Sequence, residues 1–208
     1  MESTETEVAM SSLNDADLSP QAGDALLIVD VQNDFLPGGS LAVRHGDDVI
    51  APLNGYVEIF HRRGLPIFAS RDWHPADHIS FVAQGGQWPP HCVAHTRGAE
   101  FPARLRLPAE AEIISKATRL DRDAYSTFQG TRLVETLHGR AIVRLFIGGL
   151  ATDYCVRATV EDALGNGFGV VLLADAVRAV NLHPGDGEEA LHAMEEEGAV
   201  LVGHGVAS

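Results

Sequence analysis

Short apolar runs alternate along this chain with segments of helical spacing, and that alternation most restricts what it can fold into. Residues 25–31 (ALLIVDV) form a continuous aliphatic, β-branched run, the pattern of a strand covered on both faces. Residues 47–64 then space Val49, Ile50, Leu53, Val57, Ile59 and Phe60 as on one helix face and stop at Gly64. Further strands are expected over 66–70, 112–116, 143–148, 169–174 and 199–202, with helices over 131–139, 154–167 and 186–197. The pattern predicts an α/β fold with a largely parallel sheet between helical layers. A Pro-, Gly- and His-rich stretch over 71–108 is too long to be a mere connection, and loops of that length in a compact domain are usually functional.

The polar residues at strand ends carry the chemical information. Asp30 sits at the carboxyl end of the first strand, Asp72 just beyond the second, Lys116 at the end of the third, and Cys155 after the fourth. Open α/β sheets bind ligands on that side. If the fourth strand lies beside the first, Asp30 and Cys155 face each other. A cysteine in a first helical turn feels unpaired N–H groups and the positive end of the helix dipole, which favour thiolate and can also hold an oxyanion. A partly desolvated Asp30 has a raised pKa and is suited to move a proton from the thiol to a leaving amine. Lys116, the only lysine among 15 basic residues, is expected to lower the pKa of both Cys155 and Asp30. For each residue there is a plainer alternative: a buried small hydrophobe, an Asx-turn, an ordinary strand-end lysine.

The loop segments RDWHPADHISF (71–81) and WPPHCV (88–93) bring Asp72, His74, His78 and His91 into one region. Mixed nitrogen and oxygen donors suit Zn²⁺, Fe²⁺ or Mn²⁺. Cys92 is assigned to packing. Phe35, Trp88 and Tyr125 lie in the same loops and are candidates to sandwich a flat ring.

At 208 residues the chain fits one domain, expected over 24–208 and preceded by a flexible acidic tail over 1–23. A formal charge of −14 argues against nucleic acid or an anionic membrane surface as partner, and no apolar run approaches the length of a membrane span. Two cysteines and the lack of a signal-like start make the cytoplasm the default location. No G-x-G-x-x-G follows the first strand, which argues against a dinucleotide-binding domain.

Together DVQNDF (30–35), GGSLAV (38–43), the two loop segments, DRDAYSTF (121–128) and ATDYCVRATVEDA (151–163) resemble the nicotinamidase/pyrazinamidase branch of the isochorismatase-like cysteine hydrolases, over about residues 25–202. The resemblance implies a three-layer α/β/α fold whose six parallel strands run in the order 3-2-1-4-5-6. It implies a triad of Asp30, Lys116 and Cys155, and one divalent ion, zinc before iron or manganese, on Asp72, His74 and His91, with His78 as an optional further ligand. Phe35 and Trp88 would flank a nicotinamide ring, with Leu41, Tyr125, Leu150, Ala151 and Tyr154 completing the pocket. A cis Leu150–Ala151 bond would turn the N–H groups of Ala151 and Cys155 toward an oxyanion. Glycine is common after the lysine in this family, where this chain has Ala117. The implied activity is hydrolysis of nicotinamide to nicotinate and ammonia, with pyrazinamide also accepted. A related amidohydrolase of another small amide, or a non-catalytic binding member, is the alternative, and self-association is left open.

Overall fold

A computed structural model describes residues 18–203. Most of the expected acidic tail, residues 1–17, lies outside the described residues. Residues 18–23 are tied to the domain: Leu18 packs on the core, and Arg144 donates to the Ser19 carbonyl at 3.4 Å.

Six strands form one parallel sheet in the order β3-β2-β1-β4-β5-β6. They are β1 (Asp24–Val29), β2 (Ile67–Asp72), β3 (Glu112–Lys116), β4 (Arg144–Leu150), β5 (Gly169–Arg178) and β6 (Val200–Val202). Four α-helices accompany them: α1 (Ile50–Arg62), α2 (Leu133–Gly139), α3 (Arg157–Gly165) and α4 (Asp186–Glu196). Every residue of β1 is buried, so its two faces feed two cores. Leu26 and Ile28 join Leu53, Val57 and Phe60 of α1 on one side. Ala25, Leu27 and Val29 join Leu133, Leu137, Val160, Ala163 and Met194 of the other three helices on the opposite side. Among the described residues no helix is long and apolar enough to cross a membrane.

Two strands run further than their apolar runs. β4 continues through Gly148 and Gly149 to Leu150, and β5 continues after an irregularity through Asp175 to Arg178. Gly149, at φ 130°, lies opposite Val29, and a Cβ there would fall 2.0 Å from the Val29 carbonyl oxygen. Only glycine lets β4 approach β1 this closely. The chain then leaves β4 through a cis Leu150–Ala151 peptide and enters a π-type turn, Thr152–Val156, that runs into α3.

Gly149→Ala should therefore lower stability by about 3 kcal/mol, through overpacking and a disfavoured φ. Gly55→Ala, on the exposed side of α1 with open space around it, should raise stability by about 0.5–1 kcal/mol. Urea denaturation of the two variants tests the contrast.

Candidate active site

Parallel strand order puts the carboxyl ends of β3, β2, β1 and β4 side by side, and the four chemically capable residues meet there. Lys116 is the centre. Its side chain is fully buried, and its ammonium lies 2.7 Å from Asp72 Oδ1, 2.9 Å from Asp30 Oδ2, 2.9 Å from the Ala124 carbonyl and 3.5 Å from Cys155 Sγ. An ammonium has three protons. Asp72, Ala124 and Cys155 lie in directions that suit them, while Asp30 Oδ2 pairs with the same ammonium at 2.9 Å in a less favourable direction. Among the described residues it is the one buried side-chain polar atom left without a well-directed hydrogen bond. The other carboxylate oxygen of Asp30 accepts from Ser70 Oγ at 2.7 Å. Asp30 thus has one oxygen anchored and one open to a proton.

Burial outweighs the lysine at the two groups it was expected to acidify. The Asp30 carboxyl is pushed up to about 6, first by burial and against the pull of Lys116. Burial likewise holds the Cys155 thiol well above its ordinary range, with Lys116 opposing it. Lys116 lowers both groups, and burial raises Asp30, as the sequence led one to expect; the favoured thiolate at Cys155 is corrected, because the solvation lost on burial exceeds the favourable charge and keeps the proton on sulfur. Lys116 itself also loses solvation, but the carboxylates of Asp30 and Asp72 more than compensate and keep it an ammonium. For Asp72 the order is similar: burial raises its carboxyl, yet Lys116 and His74 bring the net value below the usual range.

Beside this cluster, Asp72, His74 and His91 are all buried, and one donor atom from each lies within 4.8 Å of the others. The imidazoles are oriented by backbone carbonyls, His74 Nδ1 by His91 O at 2.9 Å and His91 Nδ1 by Pro89 O at 2.8 Å. A carbonyl only accepts, so both Nδ1 atoms donate, which leaves the Nε2 atoms as the ones available to an ion. Two imidazoles and one carboxylate form a donor set that fits a divalent ion such as zinc. His78 is arranged differently. Its Nε2 faces the Arg122 carbonyl at 3.1 Å and must donate, while Nδ1 pairs with Ser80 Oγ at 2.8 Å. Both nitrogens have protein partners, and His78 falls outside the Asp72/His74/His91 group, in a second set with His74 and the exposed Asp123. Cys92 belongs to neither set. It is fully buried in the core, and its N–H donates to Asp34 Oδ2 at 2.7 Å.

A narrow cleft opens over both groups, with about 390 Å³ of atom-free space including its mouth. Cys155, Asp72, His91 and Ala151 line it, as do Phe35, Leu41, Trp88, Tyr125 and Tyr154. The aromatic wall is internally braced: Trp88 Nε1 donates to the Tyr125 hydroxyl at 3.0 Å, and the Trp88 and Tyr154 rings meet edge to face at 5.3 Å.

With this geometry in hand, comparison with known proteins is decisive. The isochorismatase domain model matches residues 24–205. The chain belongs to the isochorismatase family. It is 39% identical to the nicotinamidase of Escherichia coli over 198 residues, which is 85% of this chain and 93% of that protein. The structure of the pyrazinamidase of Pyrococcus horikoshii in complex with zinc is 50% identical, with a TM-score of 0.83 over 86% of this chain and 98% of that one. PnC1 from L. infantum, solved in complex with nicotinate, is 37% identical with a TM-score of 0.79, over 87% and 92% of the two chains.

Leu150, expected in the pocket, is 1% exposed and packs in the core with Val49, Ile50 and Leu53. The chain turns at Ala151, so the neighbouring side chain reaches the cleft instead. Other residues of the site were not singled out from sequence. Val43 and Val180 line the cleft, the latter because the Asp153 carboxylate holds the Val180 and Asn181 N–H groups at 2.9 Å each. Ser70 anchors Asp30, and Gln32 ties down the backbone of Asp72. Ala117 adopts φ 51°, the left-handed conformation that explains why glycine suits this place.

Removing the ammonium leaves two buried carboxylates unbalanced. Lys116→Met should cost about 3–5 kcal/mol at pH 8 in ion-free protein. The loss should shrink as the pH falls from 8 toward 6, because Asp30 without Lys116 takes up its proton at a higher pH than the value of about 6 it has in the parent. Thermal denaturation as a function of pH measures both the size and the sign.

Proposed function

We propose that this protein hydrolyses nicotinamide to nicotinate and ammonia through a thioester on Cys155, and that it also accepts pyrazinamide. The observation that carries this reading is the buried Asp30–Lys116–Cys155 cluster set beside a His/His/Asp donor set under one narrow aromatic cleft. A flat heteroaromatic carboxamide suits such a cleft, with Phe35 and Trp88 flanking the ring and the carboxamide at Cys155. A divalent ion on Asp72, His74 and His91, zinc before iron or manganese, would supply a Lewis-acid contact for the ring nitrogen and fix the ring's register.

The chain's own groups account for the proton movements. Asp30 Oδ2, open to a proton, takes the one on Cys155 Sγ as sulfur bonds to the amide carbon. The carbonyl electron pair moves onto oxygen, where the Ala151 and Cys155 N–H groups hold the oxyanion. The turn geometry supports that role: the Ala151 carbonyl receives the N–H groups of Tyr154 and Val156, at 3.1 Å each, and skips the Cys155 N–H between them. Asp30 then gives its proton to the amide nitrogen, the C–N bond breaks and ammonia leaves. In the second half Asp30 removes a proton from water as its oxygen adds to the thioester carbon. The C–S bond breaks, the proton returns to sulfur, and the nicotinic acid formed gives its own proton to solvent as nicotinate departs. Lys116 stays charged throughout and offsets negative charge as it moves between Asp30 and Cys155.

The same family fold can serve other small amides. Here the Asp72/His74/His91 donor set together with the aromatic wall favours a ring with a coordinating nitrogen over an open-chain ureido group. The intact triad favours an enzyme over a binding module. Two unpaired cysteines suit a reducing compartment such as the cytoplasm.

Ammonia release from nicotinamide is the direct assay. Cys155→Ala should abolish it while nicotinate still binds by calorimetry, and chelation should abolish it reversibly, with recovery on Zn²⁺, Fe²⁺ or Mn²⁺. Full turnover by the alanine variant would remove Cys155 from its role. The pH profile provides a second test. Because Asp30 must be ionised to act as base and its carboxyl lies at about 6, kcat/KM should be level above that pH and fall about tenfold per unit below it. A rate that rises on acidification would contradict Asp30 as the base.

A further inference from the structure

The main-chain ladder between β1 and β2 stops before the site it supports. Backbone pairing runs from Leu26 with Ile67 to Ile28 with Ala69, and Asp30 N–H then donates to the Ser70 carbonyl at 3.2 Å. At Asp30 the backbone turns with φ 48°, and β1 is gone. β2 nevertheless continues for two more residues, paired on its other side with Ser115 and Lys116 of β3. Successive residues of a parallel strand face alternate neighbours. Ser70 faces β1, so Asp72 faces it too, at a level where β1 offers no peptide.

The Gln32 side chain fills that level. Its Oε1 accepts from Asp72 N–H at 2.7 Å, and its Nε2 donates to the Asp72 carbonyl at 2.8 Å. A carboxamide that takes both the N–H and the C=O of one residue stands in for the missing peptide of a neighbouring strand. The second Nε2 proton goes to the Ala99 carbonyl at 3.0 Å, in a loop that is also joined to Asn33 N–H through Glu100 O at 2.9 Å. Gln32 is completely buried, and both of its amide protons are used.

We propose that Gln32 is a positioning residue for both halves of the site: its carboxamide extends the β1–β2 ladder by one side chain and thereby sets the Asp72 carboxylate relative to Asp30. The two carboxylates belong to different chemistries, one to the divalent ion and one to the proton transfer, and Lys116 touches both. A shift of Asp72 therefore reaches the ion and the triad together. Gln32 acts through the backbone and touches neither substrate nor reacting atoms. The inference rests on the amidohydrolase reading for its kinetic half, whereas its metal-binding half stands apart from that reading.

A matched control exists in the same molecule. Asn54 of α1, which does not line the cleft, also bridges main-chain groups with its carboxamide, donating to the Arg104 carbonyl at 2.9 Å and accepting from Arg106 N–H at 2.8 Å. The experiment compares Gln32→Glu, Gln32→Met and Asn54→Asp with the parent protein. It reads Zn²⁺ affinity by chelator competition, the visible spectrum of the Co²⁺-loaded protein, kcat and KM for nicotinamide at saturating Zn²⁺, and the melting temperature. Both Gln32 variants should lose about 10–100-fold in Zn²⁺ affinity, the range typical when a partner behind a metal ligand is removed. Both should shift the Co²⁺ spectrum and lower kcat more than tenfold at saturating metal, with KM within about threefold, whereas Asn54→Asp should lower only the melting temperature. If the Gln32 variants keep parental Zn²⁺ affinity, Co²⁺ spectrum and kcat and merely melt earlier, as Asn54→Asp does, the positioning role is overturned. A parent protein without ammonia release would refute the catalytic reading, while the affinity and spectral arms would still decide the role of Gln32. Should Gln32→Glu not fold, Gln32→Met, which keeps the side chain's size without adding charge, carries the same comparison.

Discussion

An ammonium with no access to water holds this site together. Lys116 is enclosed by Asp30, Asp72, Cys155 and the Ala124 carbonyl, all within 3.5 Å. Burying an ammonium is costly unless charge and hydrogen bonds compensate it, and breaking such a cluster costs more than never building it. Asp30, Asp72 and Cys155 come from separate strand ends, so the fold must deliver all three for Lys116 to be tolerated. The sheet order does that, and Gly149 permits the close approach of β4 to β1 that brings Cys155 near Asp30.

Burial also sets the chemistry. A helix N-terminus and a neighbouring lysine would make Cys155 a resting thiolate in a solvated site, yet the enclosed thiol is held protonated. The same enclosure lifts Asp30 toward neutrality, so the base is matched to a proton it must both take and return. An anion left in that pocket at rest would face Asp72 as well as Asp30. Keeping the proton on sulfur until substrate arrives avoids that arrangement.

Much of this was legible in the amino-acid order. Buried parallel strands need unbroken apolar runs, which placed Asp30, Lys116 and Cys155 at strand ends, and the lone lysine among fourteen arginines marked the one cation suited to burial. The illegible parts have physical reasons. The fourth strand read as ending at Gly148, because glycine usually ends strands, whereas it runs on to Leu150 and its two glycines leave out side chains that would strike Leu53, Ala176 and Val29. Gln32 sits among polar neighbours in DVQNDF, so nothing local reveals that it is buried, and its partners lie 40 and 67 residues away. The π-type turn at Thr152–Val156 depends on which carbonyl each N–H finds, which residue spacing does not encode. The sign of the Cys155 shift follows from its burial, a property of the assembled site and not of any motif.

In the proposed reaction the buried Cys155 sulfur carries the acyl group during turnover. Rapid acid quenching of the metal-loaded protein while it consumes nicotinamide, followed by peptide mass analysis, tests this most directly. A nicotinoyl group is expected on the peptide containing Cys155, absent from the Cys92 peptide, that appears with the first turnover and disappears when substrate is exhausted. Sustained ammonia release with Cys155 never acylated, or with the acyl group on another residue, would contradict it.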